Sequence, residues 1–271
     1  LTVDDFEVGP KLGRGKFGTV FLGRHTASGY ICALKIISKA QVTTSEEEKL
    51  IRRELEIHQQ VSHPSILRFL GWFHDEKRIF IVLEYACGGN LFERLRAQAS
   101  GRFSEPETAR YVAQMASALR YLHGKSIMHR DLKPENILLG LHDEMKLADF
   151  GYSVHSASGF RSTVCGTLDY LSPEVAMMMH KPGKAKEFYT KAVDQWSLGV
   201  LTYELLVGKP PFETKGMKAT EKKIANFKGK VMVPKHVSEQ ARNLIQRLLD
   251  LDAERRMTVE DVLAHPWIVR H

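Results

Sequence analysis

His129-Arg130-Asp131-Leu132-Lys133-Pro134-Glu135-Asn136 is the stretch on which the reading of this chain turns. An eight-residue run this ordered is not what a random polar loop contains. It supplies what phosphoryl transfer needs: a carboxylate, Asp131, to orient a substrate hydroxyl and accept its proton; an oxygen ligand for a metal, Asn136; and a cation, Lys133, to steady the moving phosphate. Thirteen residues past Asn136 comes Asp149-Phe150-Gly151. Asp149 is a hard oxygen ligand suited to Mg²⁺ bridging phosphates, and Gly151 lets the backbone turn sharply behind it.

Working outward toward the N-terminus, Gly13-Arg14-Gly15-Lys16-Phe17-Gly18-Thr19-Val20 fits two mechanisms. A G-x-G-x-x-G can open a dinucleotide-binding helix or form a hairpin over ATP phosphates, and alone it is weak evidence for either. The alternation of Thr19 to Gly23 predicts a strand where a dinucleotide-binding unit needs a helix, which favours the hairpin. No G-x-x-x-x-G-K-[ST] occurs, which excludes a P-loop NTPase. Cys32-Ala33-Leu34-Lys35 then places a lone ammonium on an apolar strand, where it requires an anionic partner. Phosphate oxygens and the carboxylate of Glu54 are the candidates.

The bulk numbers set the frame. At 271 residues, with 43% hydrophobic and 26% charged residues, the chain is globular and long enough for two lobes around a cleft. No apolar run approaches a bilayer span and the start lacks a signal peptide, so no membrane association is expected. A first residue of Leu suggests a chain cropped from something longer. Cys32, Cys87 and Cys165 are too few and too scattered for a disulfide framework, and a reducing compartment, nucleus or cytoplasm, is expected. The net charge of +7 reads as a solvated basic surface with Lys and Arg spread along the chain, which speaks against direct nucleic acid binding. One local exception is the loop-like, basic His180-Lys181-Pro182-Gly183-Lys184-Ala185-Lys186.

Periodicity divides the chain. Phe6 to about Leu83 alternates as strands do, interrupted by one helix for which Ser45 is the expected N-cap and Glu46, Glu47 and Glu48 the first turn, with Glu54 on its inner face. From Asn90 a helical period dominates, as over Thr108 to His123, Ala192 to Gly208 and Ser238 to Asp250. The expectation is an α+β, bilobal fold: a small antiparallel β lobe with one key helix at 1–84, a hinge at 85–89 and a larger helical lobe at 90–271.

Taken together, G-x-G-x-x-G-x-V, A-L-K, H-R-D-L-K-P-E-N, D-F-G and Ser172-Pro173-Glu174 resemble the eukaryotic protein kinases over essentially the whole chain. The resemblance implies ATP and Mg²⁺, the metal held by Asn136 and Asp149. It implies a nucleotide site of Leu12, Gly13, Gly15, Phe17, Gly18, Val20, Ala33, Lys35, Leu83, Glu84, Ala86 and Leu138, with Val20, Ala33 and Leu138 sandwiching adenine and the Glu84 and Ala86 backbone bonding its edge. It further implies that Glu174 pairs with Arg255 and that Asp194 holds the catalytic loop. Lys133 with Thr167 looks like the serine/threonine branch. A pseudokinase scaffold and a small-molecule kinase are the competing classes; the complete set Lys35, Glu54, Asp131, Asn136 and Asp149 speaks against the first, and the Lys133 and Thr167 pair against the second.

More narrowly, Arg52-Arg53-Glu54, His63-Pro64-Ser65-Ile66-Leu67-Arg68, Gly71-Trp72-Phe73-His74-Asp75, Cys165 to Leu171 and Val207-Gly208-Lys209-Pro210-Pro211-Phe212-Glu213 resemble the Aurora kinases, with Polo-like kinases the nearest rival. Tyr152 in place of Trp, Ser172 in place of Pro and the long Lys-rich connection from Val175 to Lys191 depart from that pattern and suggest a divergent member, a protist among the candidates. The resemblance implies a mitotic role at spindle or centromere, protein substrates, and an activating scaffold on the small lobe. Phosphorylation of Thr163, with Ser162 the alternative, would add roughly −1.5 to −2 charges beside Arg130, Arg53 and Arg161 and order the loop. Glu135 is placed by resemblance to read an Arg two residues before the target hydroxyl, as Arg161 stands before Thr163. His58 is expected as a hydrogen-bonded core histidine, Cys165 as a packing residue and Cys87 as an exposed thiol.

Overall fold

The computed structural model describes residues 1–15, 18–155, 167–180 and 189–271, without the side chains of Met179 and His180. Phe17, Arg161, Ser162, Thr163, Cys165 and the basic run 181–186 therefore lie outside the described residues. The fold is α+β. Strands β1 (Phe6–Arg14), β2 (Gly18–His25), β3 (Ile31–Ser38), β4 (Phe69–His74) and β5 (Arg78–Glu84) form one antiparallel sheet in the order β1-β2-β3-β5-β4.

The central strand β3 shows why this sheet positions a site. Successive side chains point to opposite faces, so Cys32 and Leu34 pack with Phe6 and Val82 on one side. Ala33 and Ile37 pack on the other with Ile81, Leu83 and two residues of helix α1 (Ser45–His58), Ile51 and Leu55. Lys35 shares their parity, and the period of two sends its side chain to the helix side. Gly18 lies opposite Ile37 in the register of β2 on β3. A Cβ there would sit 2.3 Å from the Ile36 carbonyl oxygen, so only glycine lets the two backbones come this close.

The cap of α1 differs from expectation by one residue. Thr44, extended at φ −122° and ψ 150°, accepts the Glu47 N–H, while Ser45 is already helical. The N-cap oxygen must stand three residues before the amide it satisfies, and Thr44 offers the same hydroxyl as Ser45 at that distance.

The helical body is built from α2 (Leu91–Arg96), α3 (Glu105–Gly124), α4 (Pro173–His180), α5 (Ala192–Val207), α6 (Met217–Ala225), α7 (Glu239–Leu248), α8 (Val259–Ala264) and α9 (Pro266–Arg270). Helix α3 begins a turn before the periodicity suggests, because Ser104 and Glu107 cap each other's backbone N–H groups reciprocally. Every residue of α5 from Ala192 to Leu206 is buried, so this helix is the axis of the large core, with α3 and α7 against it. Two short strand pairs fall around the loop quoted first: β6 (Ile127–Met128) with β9 (Val154–His155), and β7 (Ile137–Leu139) with β8 (Met145–Leu147). Among the described residues no helix is long and apolar enough to cross a membrane.

Candidate active site

The loop from His129 to Asn136 runs between β6 and β7 and is fastened to α5 from beneath. Asp194, fully buried in the first turn of α5, accepts the backbone N–H groups of His129 at 3.0 Å and Arg130 at 2.8 Å. Its Oδ2 also takes a hydrogen bond from His123 of α3 at 2.8 Å. Burial alone would raise this carboxyl, but the His123 and backbone contacts outweigh it and hold it below the usual carboxylate range. The loop needs such an anchor, since Arg130 is held at φ 71°, a left-handed conformation that costs about 1–2 kcal/mol in a non-glycine residue.

Asp131, thus placed, is almost completely buried and surrounded by donors. Asn136 Nδ2 lies 2.8 Å from its Oδ2 and Lys133 Nζ 2.9 Å from the same oxygen. The Thr167 N–H and hydroxyl reach Oδ1 at 3.2 and 3.0 Å, and Lys133 Nζ donates to the Thr167 hydroxyl at 2.7 Å. Four residues named from sequence are therefore one hydrogen-bonded unit.

The β7–β8 hairpin explains the thirteen-residue spacing of Asn136 and Asp149. Ile137 pairs with Leu147, so Asn136 leads into one end of a short ladder and Asp149 leaves from the same end; the Ala148 N–H donates to the Asn136 carbonyl at 2.8 Å. Across the cleft, Lys35 Nζ lies 2.5 Å from Glu54 Oε1, with side chains 14% and 6% exposed. Burial pulls the Lys35 pKa down, yet the charges of Glu54 and Asp149 more than offset this and leave it raised. Asn136 spends its amide nitrogen on Asp131, which frees its carbonyl oxygen to ligate, and Asp149 Oδ1 receives, among the described residues, the Gly151 N–H at 3.2 Å. No group of three or more His, Cys, Asp or Glu among the described residues could cage a metal. Two oxygen ligands with room left for phosphates and water suit Mg²⁺, which is seldom held by protein alone.

Behind the Lys35–Glu54 pair is an aromatic stack. Phe69 packs on His58 with ring centres 5.4 Å apart, His58 on Phe150 at 4.5 Å, and Phe150 edge-on to His129 at 5.2 Å. His58 Nε2 donates to the Leu67 carbonyl at 2.6 Å, as expected of a core histidine, and burial lowers its pKa to about 4. The ring is therefore neutral at physiological pH.

Of the residues expected around adenine, Ala33 and Leu83 are in the core under the sheet, and Val20, Ala86 and Leu138 pack against it. Leu12 is exposed on β1, and a Cβ on Gly13 or Gly15 would meet open space or a contact no closer than 3.8 Å, so packing alone does not demand glycine there. The side chain of Glu84 accepts from the Arg68 N–H at 3.0 Å and pairs with Lys146 at 2.8 Å. The connection after it is tied to β7 by Gly88 N–H to Leu139 O at 2.8 Å and Leu139 N–H to Gly89 O at 2.9 Å. A Cβ on Gly88 would lie 2.8 Å from Leu139, which is the reason for a glycine there. Cys87 is exposed as expected, and Cys32 is buried.

One pairing is corrected. Glu174 is gripped not by Arg255 but by Arg256, whose Nη1 and Nη2 reach its two oxygens at 2.9 and 3.1 Å. Both arginines lie in one turn closed by their N–H groups on the Asp252 carbonyl, where a step of one residue rotates the side chain by about 100°. Arg255 consequently points to solvent, 76% exposed, while the Arg256 side chain is wholly buried over the Trp196 ring. Ser172, where the resemblance has Pro, is buried with its hydroxyl lacking a partner among the described residues, as befits a site shaped for an apolar ring.

Three further groups were not anticipated. His123 braces Asp194. Tyr189 accepts, on its hydroxyl oxygen, a hydrogen bond from Arg130 Nη1 at 2.6 Å, while Arg130 Nε donates to the Tyr152 carbonyl at 2.7 Å. Glu204 of α5 receives the Tyr170 hydroxyl, and burial, with Glu135 and Glu213 nearby, raises its pKa to about 7. Asp169 is raised by burial and by the same two glutamates, so Glu135, Asp169, Glu204 and Glu213 form one acidic patch beside Asp131 and Thr167. The available signal for Glu204 was its isolation: it is the lone charged residue in the second half of α5. Arg53 is half-buried on α1.

Comparison with known proteins places these features in context. The model of the protein kinase domain matches residues 6–268. An Aurora kinase of Schizosaccharomyces pombe is 51% identical over 267 residues, covering 98% of this chain and 72% of the relative. Aurora kinase A-A of Xenopus laevis is 46% identical over 269 residues, 99% of this chain and 63% of the relative. An Aurora kinase of Patiria pectinifera is 48% identical over 264 residues, 97% of this chain and 62% of the relative. The chain thus spans less than two thirds of the Xenopus and Patiria proteins.

Proposed function

From the premise that this chain belongs to the Aurora family of serine/threonine protein kinases, we propose that it transfers the terminal phosphate of Mg²⁺-bound ATP to serine or threonine hydroxyls next to arginine in other proteins. In this reading 1–84 is the nucleotide-holding lobe, 85–89 the hinge and 90–271 the catalytic and substrate-binding lobe. Asp131 orients the acceptor hydroxyl and takes its proton, and Lys133, already beside Asp131 and Thr167, steadies the departing phosphate charge. Lys35, held by Glu54, orients the nucleotide phosphates; Gly13, Gly15 and Gly18 bring backbone N–H groups to them. Asn136 and Asp149 would hold the divalent ion, which when bound neutralises phosphate charge. The observation that carries the reading is the single hydrogen-bonded unit of Asp131, Lys133, Asn136 and Thr167, together with Asp149 close enough to the Lys35–Glu54 pair for its charge to act on Lys35.

The acidic patch of Glu135, Asp169, Glu204 and Glu213 supports a preference for arginine two residues before the acceptor, since a guanidinium there would neutralise the gathered carboxylates, of which Asp169 and Glu204 are raised by burial and by the charges of Glu135 and Glu213. Phosphorylation of Thr163 activates the enzyme, with Arg130, Arg53 and Arg161 receiving the phosphate. An activating protein partner binds the small lobe, where the free edge β4 presents Trp72, 44% exposed, stacked on His74. The cellular role is in mitosis, at spindle or centromere, in a protein of nucleus and cytoplasm.

The test is phosphate incorporation into a basic protein substrate with ATP and Mg²⁺, comparing the chain with Asp131→Asn. A kinase loses roughly 10²–10⁴-fold with this change, the usual contribution of a positioned general base; equal signals from both would assign the chain to a non-catalytic scaffold. Thr163→Val should remove most activity, and unchanged kinetics would refute the proposed activation.

A further inference from the structure

The net charge of +7 is not spread evenly after all. Residues 209–235 hold eight lysines against two glutamates, a net of +6. All eight lysines are exposed, and among the described residues none is ion-paired; Lys223 alone has a hydrogen bond, to the Pro211 carbonyl at 2.9 Å. At the centre of this face is α6, which buries Thr220 and Ile224 and turns Lys218 and Lys222 outward. Those two are four residues apart, stacked on one side of the helix where like charges repel. Lys215 and Lys218 also flank the N-terminal end, which carries no acidic residue in its first turn and whose dipole disfavours cations. The helix therefore carries a charge arrangement that an external anion would relieve.

Its surroundings select the anion. Helix α6 packs against the turn Leu168–Tyr170, which carries Asp169 of the acidic patch, and Glu213 stands only two residues before Lys215. A basic surface and an acidic one thus adjoin beside the cleft. We propose that the α6 face is a docking surface for an acidic segment of a protein substrate whose acceptor site is basic, so that one substrate chain engages both signs. This rests on the kinase reading for the basic half alone. A peptide can reverse its charge within a few residues, at about 3.3–3.6 Å each. A nucleic acid cannot: its uniformly negative backbone would run from the lysines onto the carboxylates. Nor does the stretch offer bases a stacking platform, since Phe212 is buried and Phe227 half-buried. Lysine, a mobile point charge without a fixed fork, suits carboxylates of variable spacing.

Two measurements test this. Fluorescence anisotropy on the chain without nucleotide should show a short Glu-rich peptide binding, weaker as salt rises, and about tenfold weaker to the triple variant Lys215→Glu, Lys218→Glu, Lys222→Glu, as expected of a few exposed ion pairs. A Ser/Gly peptide of equal length binding as well, an unaffected triple variant, or a DNA duplex binding more tightly than the peptide would each overturn the proposal. In the kinetic arm, fusing the Glu-rich segment to a basic acceptor peptide should lower KM about tenfold at unchanged kcat, and the triple variant should erase that gain while leaving the unfused peptide unaltered. Equal KM for both peptides contradicts docking. Phosphorylation of neither would refute the kinase reading, with the anisotropy result still deciding the docking surface.

Discussion

His58 stacks on Phe150 with ring centres 4.5 Å apart while its Nε2 donates to the carbonyl of Leu67. One side chain therefore joins α1, the approach to β4 and the segment that bears Asp149. The hydrogen bond fixes the plane of the imidazole, and the plane fixes where Phe150 can lie. Phe150 in turn positions its neighbour Asp149 opposite Lys35.

This buried imidazole gives the protein a pH-dependent stability. The unfolded His58 takes a proton near its ordinary value of 6.5, whereas the folded one resists to about 4, so the unfolded state binds more protons between these limits. Stability is full above pH 6.5 and falls as pH drops toward 4, by roughly 3 kcal/mol for this group. Urea unfolding across that window should show His58→Gln with a shallower loss than the parent chain. Parallel curves would mean that His58 does not contribute.

Arg256 and Arg255 offer a matched pair. Arg256→Ala leaves Glu174 without its bidentate partner and the Ala192 and Asp250 carbonyls without their donor, and should cost about 3–5 kcal/mol, the range for breaking a buried ion pair. Arg255→Ala should stay within about 0.5 kcal/mol, as exposed pairs do. Denaturant midpoints of the two variants decide which arginine braces the fold.

Glu204 should make substrate affinity depend on pH near neutrality. Its carboxyl is raised to about 7, so it gains charge as pH rises through that value. KM for a peptide with Arg before the acceptor should fall between pH 6 and pH 8, by about two- to fivefold for one partly desolvated contact. Glu204→Gln should flatten the profile with little change for a peptide lacking that Arg. A profile that persists in the variant would locate the titration elsewhere.

Gly13 of β1 and Gly18 at the start of β2 should separate folding from nucleotide binding. Gly18→Ala drives a Cβ to 2.3 Å from the Ile36 carbonyl oxygen, so the β2–β3 pair must shift, at a cost of about 1–3 kcal/mol. Gly13→Ala meets nothing within 4 Å and should leave the melting temperature unchanged. If the Gly13 backbone approaches phosphate, the same variant raises KM for ATP. A melting temperature lowered equally by both would remove the distinction.

The nature of the site was legible in the chain because its chemistry is local. Asp131, Lys133 and Asn136 lie within six residues, and their relative placement follows from one loop between two short strands. The parity that sends Lys35 toward α1 is likewise a property of a strand, and the helical spacing that turns Glu54 inward is a property of a helix. Such periodicities need no knowledge of the rest of the molecule. What the tertiary structure alone decided depends on rotations and closures between distant segments. One residue of turn separates Arg256 from Arg255, one residue of cap separates Thr44 from Ser45, and neither step alters the composition of the stretch. Glu204 joins Glu135 only because α5 passes beneath the catalytic loop, and the lysines of 209–235 adjoin that acidic patch only because α6 folds back onto the turn bearing Asp169. Charges and carboxyls couple through space over a few ångströms, and a sequence records distance along the chain instead.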